Sequence, residues 1–304
     1  MKIVHKYTLG ILLGLCAFTS WAQQDPQFTQ YMYNTMSVNP GYAGSREVFS
    51  ITGLYRNQWV GVDGAPTTQT LGIDTPLGKN VGGGLSIIND ELGPSQETYV
   101  DGNFSYTVNT GVDHKLSFGL KAGVRFLNVD FTEGNIEDPT DNNLQNINSE
   151  VLPTVGAGIY YHTNKWYLGF SVPNFFTSDH YDEVQGNIAA ERMHYYLIGG
   201  YVFDLGASVK FKPAFLAKAV EGAPFSLDLS ANFLIQEKLT LGLGYRWDDS
   251  VSGLIGFQLT PGVFAGYAYD YTTSELNNYN SGTHEIMVRF DIFNNRRIKS
   301  PRFF

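Results

Sequence analysis

Between Phe225 and Phe233 the apolar residues Phe225, Leu227, Leu229, Ala231 and Phe233 alternate with Ser226, Asp228, Ser230 and Asn232. A strand sends successive side chains to opposite faces, so this segment is apolar on one face and polar on the other. The next segment repeats the pattern, with Leu239, Leu241, Leu243, Tyr245 and Trp247 against Thr240, Gly242, Gly244, Arg246 and Asp248. Phe118 to Phe126 and Glu285 to Ile292 do the same. No run beyond residue 18 approaches the ~20 apolar residues of a spanning helix. If such a chain enters lipid it does so as a closed barrel, because only helices and barrels satisfy every backbone group there.

The pattern predicts an all-β fold of about fourteen strands, with twelve or sixteen as alternatives if one hairpin is merged or split. They fall near 47–58, 66–75, 81–90, 97–109, 113–129, 153–162, 165–173, 193–205, 207–218, 224–235, 238–248, 250–260, 262–271 and 283–293. In an up-and-down antiparallel barrel every second connection lies on the same side of the membrane, and the periplasmic ones are short. Connections after even-numbered strands are short here, from Pro76 to Asn80 through Thr260 to Gly262. The long ones, Asp130 to Leu152, Asn174 to Arg192 and Thr272 to Gly282, all have the other parity. A soluble sandwich has no reason to segregate loop lengths in this way. Charged residues at 16%, 33 glycines and 40 Tyr plus Phe fit crowded strands and interfacial aromatic girdles. Both termini are then expected in the periplasm. Pro213 within a strand predicts a bulge or weakened pairing.

Residues 1–22 read as a signal peptide: Lys2, His5 and Lys6 precede an apolar run from Tyr7 to Phe18, and Ser20-Trp21-Ala22 supplies a small-x-small cleavage site. Cys16, the sole cysteine, lies within it, so the mature chain is expected to carry no thiol chemistry. The chain is acidic, with net charge -9, which argues against a nucleic-acid partner. Outer-membrane lipid is the expected surround.

On a barrel the polar faces point inward, placing Arg56, Lys121, Arg125, Asp228, Arg246, Asp248, Asp270, Glu285, Arg289 and Asp291 in the lumen. Charges of both signs there favour internal ion pairs that stiffen the wall. A polar conduit for a solute is the competing reading. His114, His162, His180, His194 and His284 show no metal-ligand spacing, and no nucleophile-base-acid arrangement is present. His162 reads as a turn residue. We expect no catalytic residue, no cofactor and no metal. Gly82-Gly83-Gly84 reads as packing in a crowded strand, since no helix follows to make a phosphate loop.

Particular motifs are more specific. Gln27-Phe28 leads into Tyr31-Met32-Tyr33-Asn34, then Asn39-Pro40-Gly41-Tyr42-Ala43-Gly44, and Tyr55-Arg56-Asn57-Gln58-Trp59-Val60-Gly61 follows. With Gly266-Tyr267-Ala268-Tyr269-Asp270, His284-Glu285-Ile286 and the tail Ser300-Pro301-Arg302-Phe303-Phe304, the mature chain resembles the PorP/SprF family of type IX secretion system membrane proteins. Gly41 and Phe303 stand where that family suggests Ala and Tyr. The resemblance implies a non-enzymatic outer-membrane component of protein secretion. It also implies partners: a large secreted adhesin with a type B sorting domain, and periplasmic components of the secretion or gliding machinery.

The chain thus divides into the signal peptide, a segment 23–46 that lies in the periplasm or plugs the lumen, a barrel over 47–293, and a basic tail over 294–304. Tyr33 and Tyr42 in the first segment are expected to meet a partner. So are Arg296, Arg297, Arg302 and Phe304 in the tail, which is basic on an acidic protein.

Overall fold

The computed structural model describes residues 26–130, 146–176 and 192–292. Within them the fourteen strands are β1 (Phe49–Asn57), β2 (Thr67–Pro76), β3 (Val81–Leu92), β4 (Ser95–Gly111), β5 (His114–Val129), β6 (Ile147–His162) and β7 (Trp166–Val172). They continue as β8 (His194–Tyr201, resuming at Phe203–Asp204), β9 (Val209–Val220), β10 (Ser226–Ile235) and β11 (Leu239–Arg246). The last are β12 (Ser250–Thr260), β13 (Val263–Thr272) and β14 (Thr283–Ile292). Each strand pairs antiparallel with its sequence neighbours, and β14 pairs with β1 from Phe49 opposite Ile292 to Asn57 opposite His284. The sheet is therefore a closed barrel without an edge.

The barrel is apolar outside. Phe104, Phe118, Leu120, Leu243, Phe257 and Ile286 stand exposed on its outer surface, whereas Ser105, Lys121, Asn232, Arg289 and Glu285 are buried inside. Connections after even-numbered strands have at most four residues, which places that rim in the periplasm. β1 begins and β14 ends at this rim. No described helix is long and apolar enough to cross a membrane.

Local departures have local causes. β6 begins at Ile147, six residues before its expected start, so the preceding connection is shorter than the sequence suggests. Arg246 ends β11, and Trp247 to Asp249 form a turn in which Asp248 takes a positive φ and lies exposed at the outer mouth. His162 closes β6 rather than lying in a turn, and is buried against the Tyr160 ring at 5.3 Å. Pro213 lacks the N–H that a central ladder needs. Opposite it β8 breaks at Val202, and pairing resumes in the same register on either side, Phe211 with Phe203 and Ala214 with Gly200.

Leu243 lies midway along β11 with 68% of its surface exposed. Leu243→Arg is expected to destabilise the barrel in lipid by about 2–4 kcal/mol, read by reversible urea unfolding from vesicles.

Candidate functional site

The lumen is occupied by the chain's own residues. From Phe28 to Ala43 every side chain is buried except Thr29, which is half-buried. Pro26 and Gln27 line the outer mouth beside Trp59 and Trp247, and the segment descends to Gly44, next to Asp74 and Gly82 near the periplasmic rim. It then turns back as β1. The plug contains one helical turn, α1 (Thr35–Val38), and a 3-10 turn at Pro40–Tyr42, where Asn39 Oδ1 caps the Gly41 N–H at 2.9 Å.

An irregular buried segment leaves backbone groups without partners, so the wall must supply them. Glu285 accepts the Thr29 and Gln30 N–H groups at 2.9 and 2.8 Å. Ser171 Oγ donates to the Val38 carbonyl, and Ser105 Oγ to that of Ala43, each at 2.7 Å. Asp74 accepts the Gly44 N–H at 3.1 Å. In the reverse direction, Asn39 Nδ2 donates to the Ile159 carbonyl of β6 at 3.1 Å. The polar face of the barrel is thus matched to one particular backbone.

Space is matched as well. A Cβ on Gly82 would collide with the Ala43 carbonyl, and one on Gly119 with the backbone of Pro40 and Gly41. Gly84, Gly158 and Gly266 leave room in the same way for Met36, Asn39 and Gln30. The glycine-rich start of β3 is therefore a groove for the plug. Two gaps between plug and wall measure about 50 and 10 Å³, room for a few waters at most.

Buried ion pairs line the wall, and one of them, Arg46–Asp291, ties the N-terminal segment to it. Arg56 on β1 holds Asp270 of β13 and Glu285 of β14, each at 2.9 Å, and donates to Thr29 Oγ1 at 2.7 Å. At the periplasmic end Arg46 holds Asp291 at 2.6 Å, and Asp291 also accepts from Ser50 and Arg289. Lys121 pairs with Asp101 at 2.9 Å, Arg125 with Glu97 at 3.4 Å, and Arg246 with Asp228 at 2.5 Å. Of the ten charges expected in the lumen nine are buried there, Arg56, Lys121, Arg125, Asp228, Arg246, Asp270, Glu285, Arg289 and Asp291, while Asp248 is exposed at the outer mouth. Arg46, Glu97, Asp101, Lys212 and Lys218 join them, and the last four follow from strand parity had it been applied throughout.

Tyr33 and Tyr42, expected to meet a partner, are buried against the barrel's own wall. Tyr33 lies 5.2 Å from the Phe264 ring with Lys212 over its face, and Tyr42 meets Tyr160 edge-on at 5.6 Å. Their burial inside a closed barrel keeps them from any outside protein. Arg296, Arg297, Arg302 and Phe304, like residues 1–22 expected to form a signal peptide, lie outside the described residues.

Above the plug, at the outer mouth, a vestibule of about 690 Å³ opens. Its lining combines Trp59, Phe225 and Trp247 with Asp90, Asp248 and Asp249, and its floor holds Arg56, Arg246 and Asp270. Among the described residues, no group of three or more His, Cys, Asp or Glu is placed to hold a metal ion.

Two substitutions test the plug. Arg56→Ala strands Asp270 and Glu285 without their cation and is expected to cost about 3–5 kcal/mol in urea unfolding. Gly119→Val is expected to accelerate amide exchange of residues 38–44 by at least ~10-fold, with little change in the strands facing lipid.

Comparison with known proteins bears on this architecture. The CymD monoaromatic hydrocarbon channel is 12% identical over 88% of this chain and 94% of its own, with a TM-score of 0.53. Omp33 of Acinetobacter baumannii is 11% identical over 81% of this chain and 98% of its own, with a TM-score of 0.46. The former likeness shows a shared outer-membrane barrel fold and, at that identity, nothing of what passes through it. No curated protein sequence matches the chain. The family model of the type IX secretion system membrane protein PorP/SprF matches residues 20–290, plug and barrel together, and the chain belongs to that family.

Proposed function

We propose that this protein is a non-enzymatic, closed outer-membrane barrel that receives or anchors a large surface adhesin exported by the type IX system through its type B sorting domain. In gliding cells it supports adhesin display, working with periplasmic components of the same machinery. The observation that carries this reading is the filled lumen. A passive channel needs a continuous aqueous path, whereas here the side chains of residues 28–43 occupy the cross-section and are held by the wall at both ends. A barrel of this kind offers faces rather than a pore. Family membership supplies the secretion context. The porin-like alternative rests on fold likeness, which does not separate a channel from a mount.

Export depends on residues 1–22 acting as a cleaved signal peptide, and the basic tail over 294–304 provides periplasmic attachment.

In planar bilayers the full-length barrel is expected to be silent. Deleting residues 24–40 is expected to give a conducting, still heat-modifiable barrel and to abolish adhesin display on cells. Steady conductance of the intact chain, or normal display by the deletion, overturns the reading.

A further inference from the structure

Both ends of the barrel wall lie at the periplasmic rim, where β1 starts opposite the end of β14. The plug ahead of β1 spans the lumen, and its direction is fixed by two clamps. At the lower one Arg46 pairs with Asp291, the last residue but one of β14. At the upper one Thr29 gives its N–H to Glu285 at 2.9 Å and its hydroxyl to Asp270 at 2.7 Å, and accepts from Arg56 at 2.7 Å. These three side chains stand within three residues of the outer ends of β14, β13 and β1. Six residues of β14 separate Glu285 from Asp291, roughly 20 Å along the strand. Pro26 lies beyond the upper clamp. It lines the outer mouth with Trp59 and Trp247, and a second gap with Pro173 and Asn174 just past the outer end of β7.

The chain before Pro26 has no way back from there. With the leader cut after Ala22, as the sequence predicts, Gln23, Gln24 and Asp25 precede it, and three residues reach about 10 Å at full extension. The periplasmic rim is roughly twice that distance away, measured along the wall. The lumen between is filled by residues 28–43, with gaps of about 50 and 10 Å³ that admit no second pass of chain. An uncut leader meets the same obstacle: its apolar run from Tyr7 to Phe18 would have to emerge through the outer mouth as well.

We propose that the N-terminal segment threads the barrel outward, so that the mature amino end, ahead of Pro26, faces the cell exterior while both ends of the wall face the periplasm. The chain thus crosses the membrane once inside its own barrel. Leader cleavage then precedes seating of the plug, because an amino end still attached to its leader cannot be passed up the lumen and left at the mouth. The free amino end becomes part of the outer face, next to the vestibule floor formed by Pro26 and Gln27. This topology does not depend on what the barrel binds, so it stands or falls apart from the reading of the barrel as a mount.

The test places a short epitope between Gln24 and Asp25 of the full chain, which leaves the cleavage site intact, and stains cells with antibody before and after the outer membrane is permeabilised. The same epitope after Asn277, in the β13–β14 connection, marks the outer side, and after Lys79, in the β2–β3 turn, the periplasmic side. On intact cells the insertion at Gln24 is expected to stain like that at Asn277 and at least ~10-fold above that at Lys79, which the bilayer shields. A heat-modifiable band shows that each chain is folded. Should the insertion hinder folding, Gln24→Cys supplies the same reading with a membrane-impermeant maleimide, since the mature chain has no other cysteine. Staining or labelling of the folded chain only after permeabilisation puts the amino end in the periplasm and overturns the proposal, as does a folded insertion that antibody reaches in neither state.

Discussion

The Glu285 carboxylate accepts two backbone N–H groups of the plug and the guanidinium of Arg56, and through that junction three parts of the chain become one object. Arg56 is on the first strand, Glu285 on the last, and Thr29 and Gln30 belong to the segment between them in space. Arg46, Ser50 and Asp291 make a second such junction at the other end of the same seam. Buried charges of this kind are costly unless each has its partners in good geometry. Closing the barrel between β1 and β14 therefore builds the seat of the plug, since Arg56, Asp270 and Glu285 pair across the wall and Glu285 then accepts the Thr29 and Gln30 N–H groups.

That coupling explains the inner wall. A barrel whose lumen holds water tolerates any polar inward residue, but one packed around a fixed backbone does not. Gly82 and Gly119 face Ala43 and Gly41, where a single added carbon would strike main chain. Ser105 and Ser171 stand where a carbonyl of the plug would otherwise lack a donor. The wall reads as a mould of one irregular segment, and the strength of the fit comes from many small matches and not from one anchor.

Strand positions, their parity and the lumenal charges were legible because they follow from a period of two, which is local. Leu227 and Asp228 reveal their faces whatever the rest of the chain does. Pro213 likewise marked the weak point between β8 and β9, since a missing N–H is a property of one residue. The fate of Tyr33 and Tyr42 was not legible, because α1 is a single turn and contacts such as Asn39 to Ile159 join residues 120 positions apart. The inward glycines carried the missing signal. Their alignment on the lumen face pointed to crowding, but what crowds them is set by the closed topology. Asp248 lies in the turn at the outer mouth and not deep in the lumen, because the strand ends at Arg246 and parity does not carry into a residue of positive φ.

A plug fixed at both ends leaves two surfaces on which selection for binding can act. The outer one is a shallow vestibule whose floor is the plug's beginning, Pro26 and Gln27, together with the Arg56 junction. Any partner seated there rests on the same residues that hold the seam closed, so occupancy and barrel stability are linked: a ligand that binds only the plugged state stabilises it by mass action. The periplasmic rim is joined to that floor through Arg46, Asp291 and β14. Such a connection joins the two sides of the barrel without opening a path between them, as the proposed role of a mount requires and that of a channel does not.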